Sequence, residues 1–154
     1  MKYLRCVAPS APTTAVWGEL DDSGSIRVLD ASPLAGGRPT SRTLRLAEVK
    51  TFLPPVDPPY VIALGKNYAA HAKEGGGTVP DHPVIFLKTT TSIIAHRELI
   101  VLPRDHAAEV DYEAELAIVI GRKAWRLTRA NALEHVFGYT CANDVSARDC
   151  QLRL

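Results

Sequence analysis

Residues 109–121, EVDYEAELAIVIG, alternate so strictly between polar and apolar that an extended strand is the conformation that sorts them onto two surfaces. Successive strand side chains point to opposite faces. Val110, Tyr112, Ala114, Leu116, Ile118 and Ile120 then form one apolar face, and Glu109, Asp111, Glu113 and Glu115 crowd the other. Acidic residues are depleted in strands, and no lysine or arginine lies between these four. Carboxylates two positions apart sit about 7 Å from each other, a repulsion of roughly 0.6 kcal/mol per pair even in water. A divalent cation would turn that repulsion into binding. A solvated strand face explains the acids without one.

The rest of the composition bounds the class. A chain of 154 residues suffices for one domain, or for a small domain plus part of a larger one. Its 46% hydrophobic and 23% charged content is that of a soluble globular protein. With 18 basic against 17 acidic residues and no basic block, nucleic-acid binding has no support. Cys6, Cys141 and Cys150 are odd in number and lack CxxC spacing, so a reduced, cytoplasmic setting without a thiolate zinc site is expected. No window reaches the roughly 18 apolar residues of a membrane helix, and no signal-peptide core opens the chain.

Turn chemistry divides the sequence. Ala15–Leu20 and Ser25–Leu29 read as strands joined by the turn cluster Asp21-Asp22-Ser23-Gly24, with loop from Pro33 to Pro39 and one more short element between Leu44 and Phe52. Pro54, Pro55, Pro58 and Pro59 mark a stiff connector. A small β-rich unit over 1–56 and a second unit over 57–154 follow. In the second, Tyr60–Leu64 is a strand, Tyr68–Glu74 a helix ended by Gly75-Gly76-Gly77, and Pro83–Lys88 a buried strand. Glu98–Leu102 is a shorter strand, Thr128 caps a helix ending near Val136, and Phe137–Ala142 is a strand leading into Asn143-Asp144.

Several residues in this frame can carry chemistry. Glu113 and Glu115 project the same way and can share one hard cation, for which Asp144, at a strand end, is a candidate third oxygen ligand; a turn or capping aspartate is the alternative for Asp144. His71 and Glu74 lie three apart on one helix face, where a carboxylate can orient an imidazole as a general base; such pairs are also ordinary on helix surfaces. Lys88 closes an apolar strand either as a snorkelling end residue or as a cation for a substrate carboxylate. Arg148 and Gln151 share a face if their stretch is helical, and Arg148 could bind a carboxylate in bidentate fashion. His82, His96, His106 and His135 receive no role.

Read together, GKNYAAHAKE, PVIFLK, IVLP, VDYEAELAIVIGR and GYTCANDVSARDCQ occur in an order and spacing that resembles the fumarylacetoacetate hydrolase family, over roughly Val61 to Gln151. The resemblance implies an α+β, mostly β fold: an incomplete mixed β-roll of the family's C-terminal domain type, preceded by a small β-rich N-terminal domain. It implies that Glu113, Glu115 and Asp144 bind Mg²⁺, or Mn²⁺ or Ca²⁺ in some members. It further implies that His71 and Glu74 activate water, that Lys88, Arg148 and Gln151 contact substrate, and that the protein is a homodimer. The substrate would be a small 2-oxo or 1,3-diketo acid such as an acylpyruvate, cleaved at a carbon–carbon bond by metal-dependent hydrolysis. Decarboxylation or keto–enol isomerisation of related acids is the alternative within the family. The loop after PVIFLK departs from the family pattern by reading SIIAHRE. Because similar proteins continue beyond this point, the chain resembles a truncated member, and an inactive metal-binding relic is the alternative outside enzymology.

Overall fold

The computed structural model describes residues 1–74, 76–104 and 108–151; Gly75 and His106, both considered above, lie outside the described residues. The chain resolves into two compact units, 1–98 and 99–154.

The first unit opens with a four-stranded antiparallel sheet in sequential order, β1 (Lys2–Ala8), β2 (Ala11–Leu20), β3 (Ser25–Leu29) and β4 (Pro39–Arg45). The β2–β3 turn forms because Asp21 Oδ1 accepts hydrogen bonds from Ser23 N, Ser25 N and Ser23 Oγ, while Gly24 adopts φ +80°. Alternate residues of the sheet, with Val49 from the following loop, make a closed core of Cys6, Ala8, Val16, Ile26, Val28 and Val49. Gly18 is required there, since a Cβ would strike Ile26 Cγ2 on the neighbouring strand. Residues 51–53 then run along the outer edge of β1, with Val7 N donating to Thr51 O and Leu53 N to Arg5 O. Prolines follow at once, and a proline cannot extend such a ladder. Arg5 anchors the connector, lying over the Trp17 ring at 5.4 Å and pairing with Asp57.

The same unit continues with β5 (Val61–Gly65), α1 (Ala69–Glu74) and β6 (Val84–Lys88), the two strands pairing antiparallel from Val61–Lys88 to Gly65–Val84. The strand expected over Pro83–Lys88 exists but is not buried: Ile85 and Leu87 are 64% and 70% exposed.

The second unit contains β7 (Val110–Asp111), β8 (Ala114–Ile120), β9 (Val136–Asn143), β10 (Ser146–Ala147) and α2 (Arg148–Gln151). β8 pairs with β9 and β7 with β10, both antiparallel. The single strand expected over 109–121 is therefore two, interrupted at 112–113, because its halves serve different partners. Two further expectations fail. Glu98–Leu102 forms no strand. The helix expected from Thr128 is only a 3-10 turn over Ala132–His135, because Asn131 Oδ1 accepts both the Thr128 amide and hydroxyl and pulls that loop into its own turn.

Burial along β8 does not sort by polarity, since both of its faces are largely apolar. Glu115, Ala117 and Val119 occupy the sheltered face, while Leu116, Ile118 and Ile120 are each more than half exposed.

Candidate functional site

The β8–β9 ladder positions the acidic residues. Ala114 pairs with Asn143 and Glu115 with Ala142. Past the end of the ladder, Asp144 N donates to Glu113 O at 2.9 Å and Glu113 N to Asn143 Oδ1 at 3.1 Å. The backbone thus sets Glu113 and Asp144 opposite each other, with Glu115 one alternation along the same sheltered face. Two sequence segments about thirty residues apart supply three oxygen donors to one end of a two-stranded ladder, the donor chemistry that suits a hard divalent cation. The triad is brought together as backbone positions and not as a finished cage: among the described residues no three His, Cys, Asp or Glu side chains are gathered closely enough to hold a metal ion.

Arg148 engages one of the three carboxylates, that of Glu113. From the start of α2 its Nε donates to Asp111 Oδ2 at 2.9 Å, and its Nη1 reaches Glu113 Oε1 at 2.7 Å and Gln151 Oε1 at 3.1 Å. Its backbone amide also donates to Glu109 O at 2.8 Å. The acidic run therefore has a counter-cation, contributed from outside the run. Local reading of 109–121 misses it because it enters through the β7–β10 pairing. The hydrogen bond to Asp111, with Glu113's charge beside it, holds the guanidinium above its usual range, so the pairing persists wherever those carboxylates are ionised. Gln151 shares a helix turn with Arg148, as anticipated, and here serves as its hydrogen-bond partner.

The remaining candidates belong to the first unit. α1 forms where expected and presents His71 and Glu74 to solvent, with Ala72 buried beneath. No hydrogen bond joins His71 to Glu74 among the described residues, so the helix supplies the pair's spacing without closing it. Lys88 ends β6 half-buried, its Nζ 5.7 Å from the Phe86 ring centre. His96 packs edge-on against Phe52, a structural use that accounts for one histidine left without a role. No helix among the described residues is long and apolar enough to cross a membrane.

Comparison with known proteins places the chain in a family. Residues 60–154 match the model of the fumarylacetoacetate hydrolase C-terminal domain, and residues 1–55 that of an Rv2993c-like N-terminal domain. Protein Rv2993c of Mycobacterium tuberculosis is 41% identical over 154 residues, covering 98% of this chain and 57% of its own length. The oxaloacetate tautomerase YisK of Bacillus subtilis is 40% identical over 111 residues, covering 70% of this chain and 37% of its own. The crystal structure of 5-carboxymethyl-2-hydroxymuconate delta-isomerase from Mycobacterium smegmatis is 39% identical with a TM-score of 0.85, covering 99% of this chain and 58% of that one. The chain spans about half the length of the curated relatives it matches. With the matched region enclosing the acidic ladder end, α1, Lys88 and α2, the chain belongs to the fumarylacetoacetate hydrolase family.

Proposed function

We propose that the protein serves enol–keto chemistry on a small 2-oxo acid, tautomerising or isomerising it with a divalent cation held by Glu113, Glu115 and Asp144. The observation that carries this reading is the convergence of those three positions on one end of the β8–β9 ladder. Tautomerase and isomerase names among the relatives support it. When bound, Mg²⁺, Mn²⁺ or Ca²⁺ supplies positive charge that polarises a substrate carbonyl and acidifies the adjacent carbon. Glu113, Glu115 and Asp144 would hold the ion through their carboxylate oxygens. His71 has the chemistry to carry a proton between carbon and solvent. Arg148, once exchanged from Glu113, offers a planar fork for a substrate carboxylate, and Lys88 a point charge.

Hydrolysis of an acylpyruvate is the second reading. It is favoured by the solvent exposure of both His71 and Glu74 on α1, where a water can bridge the gap the two side chains leave. The unit over 57–154 would carry the chemistry, with 1–56 as an accessory domain and two copies forming a dimer in the cytoplasm.

One experiment separates the readings. Enol-oxaloacetate and acetylpyruvate are offered in parallel with Mg²⁺, Mn²⁺ or no metal, and enol absorbance is followed alongside released pyruvate. Metal-dependent loss of the enol without pyruvate supports tautomerisation, pyruvate with acetate from acetylpyruvate supports hydrolysis, and pyruvate with carbon dioxide from oxaloacetate marks decarboxylation instead. A folded chain that turns over neither, under any metal, sinks the proposal.

A further inference from the structure

We infer that residues 121–129, in the connection from β8 to β9, dock the protein on an anionic phospholipid surface through Arg122, Lys123, Trp125, Arg126 and Arg129. The first observation is charge. The whole chain is nearly balanced, with 18 basic and 17 acidic residues, yet residues 116–133 hold four cations and no Asp or Glu. All four are exposed, and among the described residues none of them takes part in an ion pair. Lys2 and Arg27, by contrast, are matched by Asp22 and Glu19.

The second observation is Trp125, 74% exposed in the middle of those charges. The Arg126 guanidinium stands over its ring at 5.7 Å. An exposed apolar side chain by itself is ordinary. A tryptophan flanked on both sides by unpaired cations suits a membrane interface, where the indole rests at headgroup level and the cations meet lipid phosphate. The third is that the connection is held in shape. At its base Gly121 N donates to His135 O at 2.8 Å, and beyond the cations Ala132 N donates to Thr128 O at 3.0 Å. Thr128 N and Oγ1 both donate to Asn131 Oδ1, at 2.8 and 3.1 Å. Arg126 holds φ +50° and turns the backbone between Trp125 and half-buried Leu127. A loop ordered in advance loses less conformational entropy when it docks.

Shape and chemistry choose the occupant. Residues 122–126 and 128–130 are all exposed, so the cations line no groove of the kind that tracks a single nucleic-acid strand. Burial against an apolar protein layer would strip water from four unpaired charges. A bilayer leaflet asks for neither: it is flat, diffusely negative, and takes one indole into its interfacial zone. Each Lys or Arg near such a leaflet raises partitioning roughly fivefold, so the four together favour it several hundredfold over a neutral one.

The test incubates the full chain with vesicles of phosphatidylcholine alone or of phosphatidylcholine mixed with phosphatidylglycerol, read by co-sedimentation. Indole fluorescence is read in a Trp17→Phe background, which leaves Trp125 as the remaining one of the chain's two tryptophans. Binding roughly a hundredfold stronger to the anionic vesicles is expected, with a blue shift of Trp125 emission and release as salt is raised. Replacing Arg122, Lys123, Arg126 and Arg129 together with glutamine should abolish that preference, and Trp125→Ala should weaken binding roughly tenfold. Arg122→Lys, Arg126→Lys and Arg129→Lys together should retain it, because a leaflet reads charge and not the planar fork. Unchanged amide exchange over 114–120 and 136–143 shows that the ladder survives in each variant. Absence of binding, equal binding to both vesicles, or binding indifferent to the glutamine variant overturns the proposal. Tighter binding to a single-stranded oligonucleotide or to polyglutamate at the same salt overturns it too, by making a nucleic acid or an acidic protein the occupant.

Discussion

Replacing Arg148 with methionine should weaken the second unit by about 2–3 kcal/mol. The guanidinium makes two charge-assisted contacts, to Asp111 at 2.9 Å and Glu113 at 2.7 Å. Hydrogen bonds to charged groups contribute roughly 1.5–3 kcal/mol when sheltered. The Glu113 contact qualifies, with side-chain exposures of 22% and 15%. The Asp111 side chain is 59% exposed, so that contact is discounted to under about 1 kcal/mol for solvent screening. Removing the cation also leaves the Asp111 and Glu113 carboxylates, both within reach of one guanidinium, to repel each other at a cost on the order of 0.6 kcal/mol in water. Methionine keeps the aliphatic stem, so little packing is lost. Amide exchange over 114–120 and 136–143 in a urea series reads the local free energy, with the β1–β4 sheet as an internal reference. A double-mutant cycle with Glu113→Gln isolates the pair and should return a coupling of about 1.5 kcal/mol or more. A loss below about 0.5 kcal/mol, or a coupling near zero, would refute the reasoning and return the acidic run to ordinary solvated surface.

Gly18→Ala should destabilise the first unit by about 1–3 kcal/mol, because the added methyl overpacks against Ile26; thermal unfolding checks it, and an unchanged midpoint contradicts the close approach. Hydrogen bonds from Ser23 hold Asp21 below the usual carboxylate range, and the bond from Lys2 does the same for Asp22. Both folded values lie below the unfolded one, so their stabilisation is complete above about pH 4 and is lost as pH falls through the folded values. Asp21→Asn should therefore flatten the acid limb of a thermal-stability profile, and an unaltered slope between pH 5 and 2 would count against that role. Glu113→Gln and Asp144→Asn should each weaken Mn²⁺ binding at least tenfold by paramagnetic resonance titration; wild-type affinity in both would remove them as ligands. His71→Gln should lower turnover by about 10²–10⁴ with Mn²⁺ binding retained, and full activity would exclude it as the proton carrier.

Where structure follows from neighbours in sequence, the residues declared it. Asp21 to Gly24 announced a hairpin because an Asx turn and a positive-φ glycine are written in four residues. α1 fell where the reading placed it, and β9 came within a residue at each end. The misses share a different cause. β1 was not foreseen, because its exposed start and turn-rich end hide the alternation until β2 pairs with it. β4, with one half-buried residue in seven, has almost no apolar signal and exists as the outer partner of β3. The division of 109–121 into β7 and β8 depends on β10, more than thirty residues away. At the candidate site, the common face of Glu113 and Glu115 was legible from the alternation, whereas Arg148's hold on Asp111 and Glu113 was not, because only the fold sets α2 beside β7.

The exposed face of the β8–β9 ladder also carries a chemical gauge. Cys141 stands on it in the open, whereas Cys6 is sealed within the β1–β4 core, where burial pushes its thiol up and keeps it inert. One alkylating reagent therefore reads two different events in the same tube. Modification of Cys141 reads whether that exposed face is open to reagent, and modification of Cys6 times the opening of the first unit's interior. A maleimide pulse in crude extract, followed by peptide mass analysis, would report the state of both thiols at the protein's natural concentration.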